Sequence, residues 1–260
     1  MSVITGIDDF VRALQPPSSA HLGSREVYLW TVPLEASDRQ VEECRAWLSE
    51  QEVTRAARYK FDRHRRDFIL SHGVLRALLG KLRRAYPANI SFVYASHGKP
   101  ALEDGADPVQ FNMSRSGSMA VYAFTKGCEV GVDVEQINPV PELVEVAARF
   151  FAAEETAELM ALSEALRVEA FFNCWTRKEA FVKALGEGLS VPLDSFRVTL
   201  GPGEPARLLY TADNVPAAQD WTLYDWAPAA EWVCALAYPD RPRTVRHSPT
   251  VPAGELLRLL

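Results

Sequence analysis

Residues Gly131 to Gln136 read GVDVEQ. Valine alternates with small or acidic residues, the period of a β-strand whose two faces differ. Val130, Val132 and Val134 share one face and suit a core. Gly131, Asp133 and Glu135 share the other. Two residues along a strand span roughly 7 Å. At an effective dielectric of 20, two like charges that far apart repel by about 2.4 kcal/mol. A strand with one solvated face tolerates this, because water and salt screen it. In a cleft the same pair demands an opposing cation or a metal ion.

A second stretch, WTRKEAFVKALGEGL (Trp175 to Leu189), offers partners. It reads as a helix on which Glu179 and Lys183, four residues apart, share a face. A surface ion pair of that spacing is worth roughly 0.3–0.5 kcal/mol. Trp175 lies one turn before Glu179, and Lys178 points elsewhere. Gly186 and Gly188 stop the helix and let the chain turn sharply. The Gly-x-Gly follows a helix rather than a strand, so it is no dinucleotide-binding fingerprint.

The bulk numbers set limits. The chain has 260 residues, with 48% hydrophobic and 24% charged, an ordinary globular balance. A net charge of −6 argues against a general nucleic-acid binder. The N-terminal stretch carries Asp8 and Asp9 where a secretory leader has its apolar core, and no apolar run approaches membrane-spanning length. Cys44, Cys128, Cys174 and Cys234 are scattered, which reads as reduced thiols in packing roles rather than a disulfide framework or a zinc site. These features predict a cytoplasmic protein with no membrane or nucleic-acid partner.

Along the chain, EVYLWTVPL (26–34) reads as a strand. Ser37 and Gln40 form a capping box before a helix with Val41, Cys44, Trp47 and Leu48 on one face. A longer helix covers about 62–85, with Phe68, Leu75, Leu78, Leu79 and Leu82 as its stripe. ISFVYASHGKPAL is a strand broken at Gly98, and FNMSRSGSMAVYAF is a loop followed by a strand. Thr125-Lys126-Gly127 looks like a hairpin turn into the GVDVEQ strand. From Pro141 to Leu185 the chain is mostly helical, interrupted near 151–153. FRVTL, RLLYTAD, WTLYDW and EWVCALAY read as short strands. Strand, helices and strands thus occur twice. The expected fold is α+β, a pseudo-dimer of two similar subdomains (1–127 and 128–240) with the active site at their interface, followed by a Pro-rich tail (241–260).

The two stretches in this order resemble the signatures of the surfactin-type phosphopantetheinyl transferases. Those signatures are Gly-Val-Asp-Val-Glu on a strand, then Trp-Thr-x-Lys-Glu-Ala-x-x-Lys-x-x-Gly-x-Gly. The resemblance extends to Gly98-Lys99-Pro100, to Phe111-Asn112-x-Ser114, and to Phe150-Phe151 followed by Glu154-Glu155. It covers about residues 26–240. It implies transfer of the phosphopantetheine arm of coenzyme A to a serine of an apo acyl or peptidyl carrier protein, with adenosine 3′,5′-bisphosphate as the other product. By the same resemblance, Asp133, Glu135 and Glu179 hold Mg²⁺ with the pyrophosphate. Magnesium suits this role as a hard ion bound by few carboxylates plus phosphates and water. Glu179, or a metal-bound water beside it, is the general base. Lys183 holds the pyrophosphate and stabilises developing charge. Lys99 and Ser114 contact coenzyme A phosphates, and a basic residue of the 62–85 helix, Arg66 or its rival Arg65, contacts the nucleotide.

One residue departs from the pattern. Arg115 stands where the family has a histidine that binds the 3′-phosphate of coenzyme A. A guanidinium is always charged and forks onto phosphate, so it suits the same contact. The length and two-half plan resemble the monomeric class of the family. The carrier, whether of fatty-acid, polyketide or nonribosomal-peptide synthesis, stays open. Two other functions fit the same residues: a Mg²⁺-dependent hydrolase cleaving a nucleotide pyrophosphate with water, and a non-catalytic coenzyme A or carrier-binding relative.

Overall fold

The computed structural model describes residues 22–103, 109–213, 215–240 and 242–260. The N-terminal stretch read above against a secretory leader lies outside them. The first half runs β1 (Glu26–Pro33), α1 (Asp38–Trp47), α2 (Glu50–Ala57), α3 (Asp62–Arg83), β2 (Phe92–Tyr94), β3 (Pro100–Leu102), β4 (Val109–Ser116) and β5 (Met119–Lys126). The second runs β6 (Gly131–Gln136), α4 (Leu143–Phe150), α5 (Ala153–Ala161), α6 (Glu164–Leu185), β7 (Phe196–Val198), β8 (Leu208–Thr211), β9 (Trp221–Trp226) and β10 (Trp232–Pro239). The chain closes with β11 (Thr244–His247) and α7 (Ala253–Leu259).

The halves repeat one plan. One sheet has the order β11-β1-β5-β4 and the other β6-β10-β9, so β1, β5, β4 and β6, β10, β9 correspond. Helices α3 and α6 are both 22 residues long and both end on a left-handed residue, Arg84 and Gly186. Counted from the helix starts, Arg76 and Lys178 hold the same position. Each is buried against a glutamate that caps a preceding helix. Arg76 pairs with Glu52 at 2.7 Å, and Glu52 accepts from Ser49 N at 2.8 Å. Lys178 pairs with Glu155 at 2.7 Å, and Glu155 accepts from Ala152 N at 2.9 Å. Backbone carbonyls complete both cations, Pro87 and Ile90 for Arg76, Leu193 and Phe196 for Lys178. A buried charge is tolerable only with such full pairing.

Three apolar cores follow from the alternation. Tyr28, Trp30 and Val32 of β1 face α1–α3. Leu159, Phe171, Cys174 and Phe181 build a core under α4–α6. The opposite faces of the strands, Val27 and Leu29 with Val130, Val132 and Val134, join in the third core, where the sheets pack on each other. The valine face of GVDVEQ is therefore the glue between the halves. The four cysteines are free.

Three expectations differ from the structure. FNMSRS, read as a loop, is part of strand β4, paired residue by residue with β5. Thr125-Lys126-Gly127 does not close a hairpin. β5 pairs with β1 and β4, whereas β6 pairs with β10 in the other sheet. The turn instead hands the chain between sheets, with Thr125 Oγ1 donating to Cys128 O at 2.7 Å. Residues 242–260, expected as a Pro-rich tail beyond the two subdomains, are built into the first half. β11 adds parallel to β1, and Val251, Ala253 and Leu256 enter the first half's core.

Candidate active site

β6 and α6 touch without a side chain between them. A Cβ on Gly131 would lie 2.1 Å from Ala180 O and 2.3 Å from Ala184 N, so only glycine permits this approach. Across that contact Asp133 and Glu135 meet the Glu179/Lys183 face of the helix. Asp133 is 2% exposed. Its Oδ1 accepts from Lys183 Nζ at 2.5 Å and from Ser114 Oγ at 2.7 Å. Its Oδ2 is buried with no hydrogen-bond partner. Glu135 Oε2 accepts from Ser116 Oγ at 2.6 Å. Burial first, and Asp133 second, push Glu135 up to about 7, against the lowering pull of Ser116 and Lys183. Burial also raises Glu179, with Asp133 adding to the rise and Lys183 opposing it.

The structure thus brings Asp133, Glu135, Glu179, Lys183 and Ser114 into one electrostatic group at the junction of the halves. Among the described residues, no three His, Cys, Asp or Glu side chains are drawn together closely enough to hold a metal unaided. The donor set still fits a hard cation. It offers an orphaned buried carboxylate oxygen and a second carboxylate that burial and Asp133 raise to about 7, and magnesium takes its remaining ligands from phosphate and water.

Beside this group opens a cavity of about 440 Å³, lined by residues including Arg55, Tyr59, His72, Gly98, Ser114 and Arg115. Arg115 Nη2 donates to Tyr59 OH at 3.0 Å, with its guanidinium over the Tyr59 ring. His72 stacks on Phe68 at 3.8 Å, and burial lowers it to about 4, so its imidazole is neutral near pH 7. Two cations, an aromatic wall and a neutral ring suit a phosphorylated heterocycle.

Lys99 lies at the edge. Its ammonium bonds Glu129 at 2.6 Å and Ala184 O, near the C-terminus of α6, at 3.0 Å. Here the Gly-x-Gly exit finds its reason. Gly186 and Gly188 take φ of 75° and 55°, and a Cβ on either would press on Lys99 or His97 at 3.2 Å. Arg66 is turned away from the cavity lining: it bonds Asp38 at 2.6 Å and the Ala36 carbonyl. Arg65 bonds Asp62. The basic residue of this region that does line the cavity is Arg55, which sequence reasoning missed. The available signal was its spacing, one helical turn before Tyr59. Trp175 and Lys178 build the core rather than the site: Trp175 packs on Phe150 and Phe171.

Fold and candidate site together describe a two-half α+β protein whose central junction gathers acids, a lysine and arginines of a kind suited to a phosphate-bearing molecule. Comparison with known proteins places it further. Residues 129–237 match the 4′-phosphopantetheinyl transferase superfamily. The chain is 36% identical to the 4′-phosphopantetheinyl transferase HetI of Nostoc sp. over 86% of this chain and 92% of that one. It is 30% identical to the 4′-phosphopantetheinyl transferase Sfp of Bacillus subtilis over 75% of this chain and 84% of that one. The chain belongs to the 4′-phosphopantetheinyl transferase family. No helix among the described residues is long and apolar enough to cross a membrane.

Proposed function

We propose that this protein transfers the 4′-phosphopantetheine arm of coenzyme A to a serine hydroxyl of an apo acyl or peptidyl carrier protein, working as a cytoplasmic monomer. The observation that carries this reading is the convergence of Asp133, Glu135, Glu179 and Lys183, with one buried oxygen of Asp133 unpartnered, beside a cavity holding Arg55 and Arg115.

The serine oxygen bonds to the pyrophosphate phosphorus that carries the pantetheine arm. The bond from that phosphorus to the bridging oxygen breaks, and adenosine 3′,5′-bisphosphate leaves. Glu179 receives the serine proton; its raised basicity suits it to the task. Lys183 neutralises charge developing on the leaving phosphate. Asp133, Glu135 and Glu179 would hold Mg²⁺, which when bound screens the pyrophosphate charge. Arg55 and Arg115 bind the nucleotide's 3′-phosphate, and Lys99 approaches its other phosphates from the rim.

The test is intact-mass analysis after mixing protein, Mg²⁺, coenzyme A and a panel of apo carriers. A gain of one phosphopantetheine on a carrier is expected, lost in Glu179→Gln while its melting curve stays cooperative. Free phosphopantetheine without carrier modification would instead establish a hydrolase, and no reaction would leave only a binding protein.

A further inference from the structure

Strands β4 and β6 meet at the junction of the halves without forming a backbone ladder, and side chains of β4 make the join. Asn112 Oδ1 accepts from Val132 N at 2.9 Å. Two residues on, Ser114 Oγ donates to Asp133 Oδ1 at 2.7 Å, and two further, Ser116 Oγ donates to Glu135 Oε2 at 2.6 Å. The serines keep the strand period, and so do the acids. Each hydroxyl of one half therefore faces one carboxylate of the other.

With Asp133 and Glu135 ionised, the direction of these bonds is fixed. Lys183 Nζ donates to Ser114 Oγ at 3.0 Å, and Gln136 N donates to Ser116 Oγ at 3.4 Å. A hydroxyl has a single proton. With an N–H occupying a lone pair of each oxygen, that proton is directed at the acid. Both serines have the same polarity: they accept from nitrogen and donate to carboxylate. Gly117 turns the chain immediately after Ser116 at φ 47°, and a Cβ there would lie 2.9 Å from Gln136 Oε1 and 3.4 Å from Trp232 Cη2. The turn is thus laid close over β6, which keeps Ser116 within reach of Glu135.

We infer that Ser114 and Ser116 are positioning residues: from the first half, they fix the carboxylate orientations of Asp133 and Glu135, so that the metal–pyrophosphate site is complete only where the halves dock. This rests on the metal-dependent reading above. Each hydroxyl anchors one oxygen of its acid. For Asp133 the anchored oxygen is Oδ1, and the free, buried oxygen is Oδ2, the one suited to a cation. An acid free to rotate would lose the orientation that keeps its second oxygen for a cation. Outer partners of this kind commonly govern metal affinity about tenfold to a hundredfold.

Ser116 gives the cleaner test, since no other part of the proposed mechanism uses it. The full chain with coenzyme A and without carrier is titrated with Mn²⁺, and free Mn²⁺ is read by electron paramagnetic resonance. Ser116→Ala is expected to weaken Mn²⁺ binding about tenfold. Ser116→Thr, which keeps the hydroxyl, is expected to restore it. In a Glu135→Gln background, Ser116→Ala is expected to cost nothing more, because the serine acts through that glutamate. Should Ser116→Ala fail to fold, Ser116→Cys, of similar volume but a weak donor, reads the same loss. Wild-type affinity in Ser116→Ala or Ser116→Cys, or a full additional loss in the Glu135→Gln background, would overturn the inference while leaving the metal site standing. Failure of the wild type to bind Mn²⁺ would remove both.

Discussion

Gly131→Ala perturbs the site through a single methyl group. The added carbon would lie 2.1 Å from Ala180 O, 2.3 Å from Ala184 N and 2.9 Å from Ala184 Cα. All three are backbone atoms of α6, so no rotamer change relieves the clash. The helix must move by about 1 Å to reach ordinary contact distance. Overpacking of this kind costs about 1–3 kcal/mol, and a rigid backbone neighbour puts it at the upper end. Gly131 is not in the left-handed region. Alanine therefore adds no backbone strain and recovers about 0.4–1 kcal/mol by restricting the unfolded chain. The net loss is about 2 kcal/mol, or roughly 4–8 °C in melting temperature for a chain of this size. The larger effect falls on function. Glu179 and Lys183 ride on α6 and would be displaced from Asp133 and Glu135, and a 1 Å misplacement costs about a hundredfold in rate. Calorimetry and the carrier mass assay measure the two losses. Trimming Ala180 or Ala184 to glycine should rescue neither, because the clash is with main chain. An alanine variant with wild-type melting and rate, or rescue by Ala184→Gly, would refute the close-contact reasoning.

Glu135 links stability to pH. It is held at about 7 against an ordinary 4.5, so between these values the folded state binds more protons than the unfolded one. Its contribution is present below 4.5 and is lost as pH rises through 7. In chelator, melts from pH 5 to 8 should show the wild type losing stability relative to Glu135→Gln; parallel curves would contradict the assignment. Arg115 should discriminate coenzyme A from its 3′-dephospho form by about tenfold to a hundredfold, the range for a charged hydrogen bond. Calorimetric titration of wild type and Arg115→Ala checks this, and equal ratios in both would count against the contact.

Much of the fold was legible because its signals are local. The Ser37–Gln40 capping box is present as read, and the alternation of GVDVEQ separates a valine face in the core from an acidic face on α6. Pairing was less legible. The 125–127 turn has hairpin chemistry, yet its strands lie in different sheets, because register and partner depend on β10 and β1, far away in sequence. The close approach of Gly131 to α6 is invisible in sequence for the same reason, as are the bonds that Ser114 and Ser116 make to the acids of the other half; Ser114 was expected at coenzyme A phosphates instead. Arg66 and Arg55 show the limit at the level of a side chain. Both sit in a basic stretch, and only tertiary packing turns Arg55 to the cavity and Arg66 to Asp38.

The repeated plan raises the question of why the acids cluster on one side only. Counted along the paired helices, Glu179 corresponds to Ala77 and Lys183 to Lys81. The face of β1 turned to its helix carries Tyr28, Trp30 and Val32 where β6 carries Gly131, Asp133 and Glu135. Lys81 survives, but its ammonium bonds the C-terminal Leu260 O at 3.2 Å. The edge of β1 that corresponds to the β4-facing edge of β6 is taken by β11, whose His247 reaches Tyr224 of β9 at 3.0 Å. Residues 244–260 thus cover the edge of the first half that corresponds to the one β6 leaves open toward β4. The buried pairs Arg76–Glu52 and Lys178–Glu155 are retained in both halves because both cores need them. A buried like-charged pair destabilises a fold wherever no cation answers it, and the matching face of the first half carries apolar side chains instead. Two halves of one design therefore share what folds them and differ in what reacts. The asymmetry also gives the direction of help across the junction: the half without the carboxylate cluster contributes Ser114 and Ser116, whose hydroxyls meet the acids, and Arg55 and Arg115 on the cavity wall.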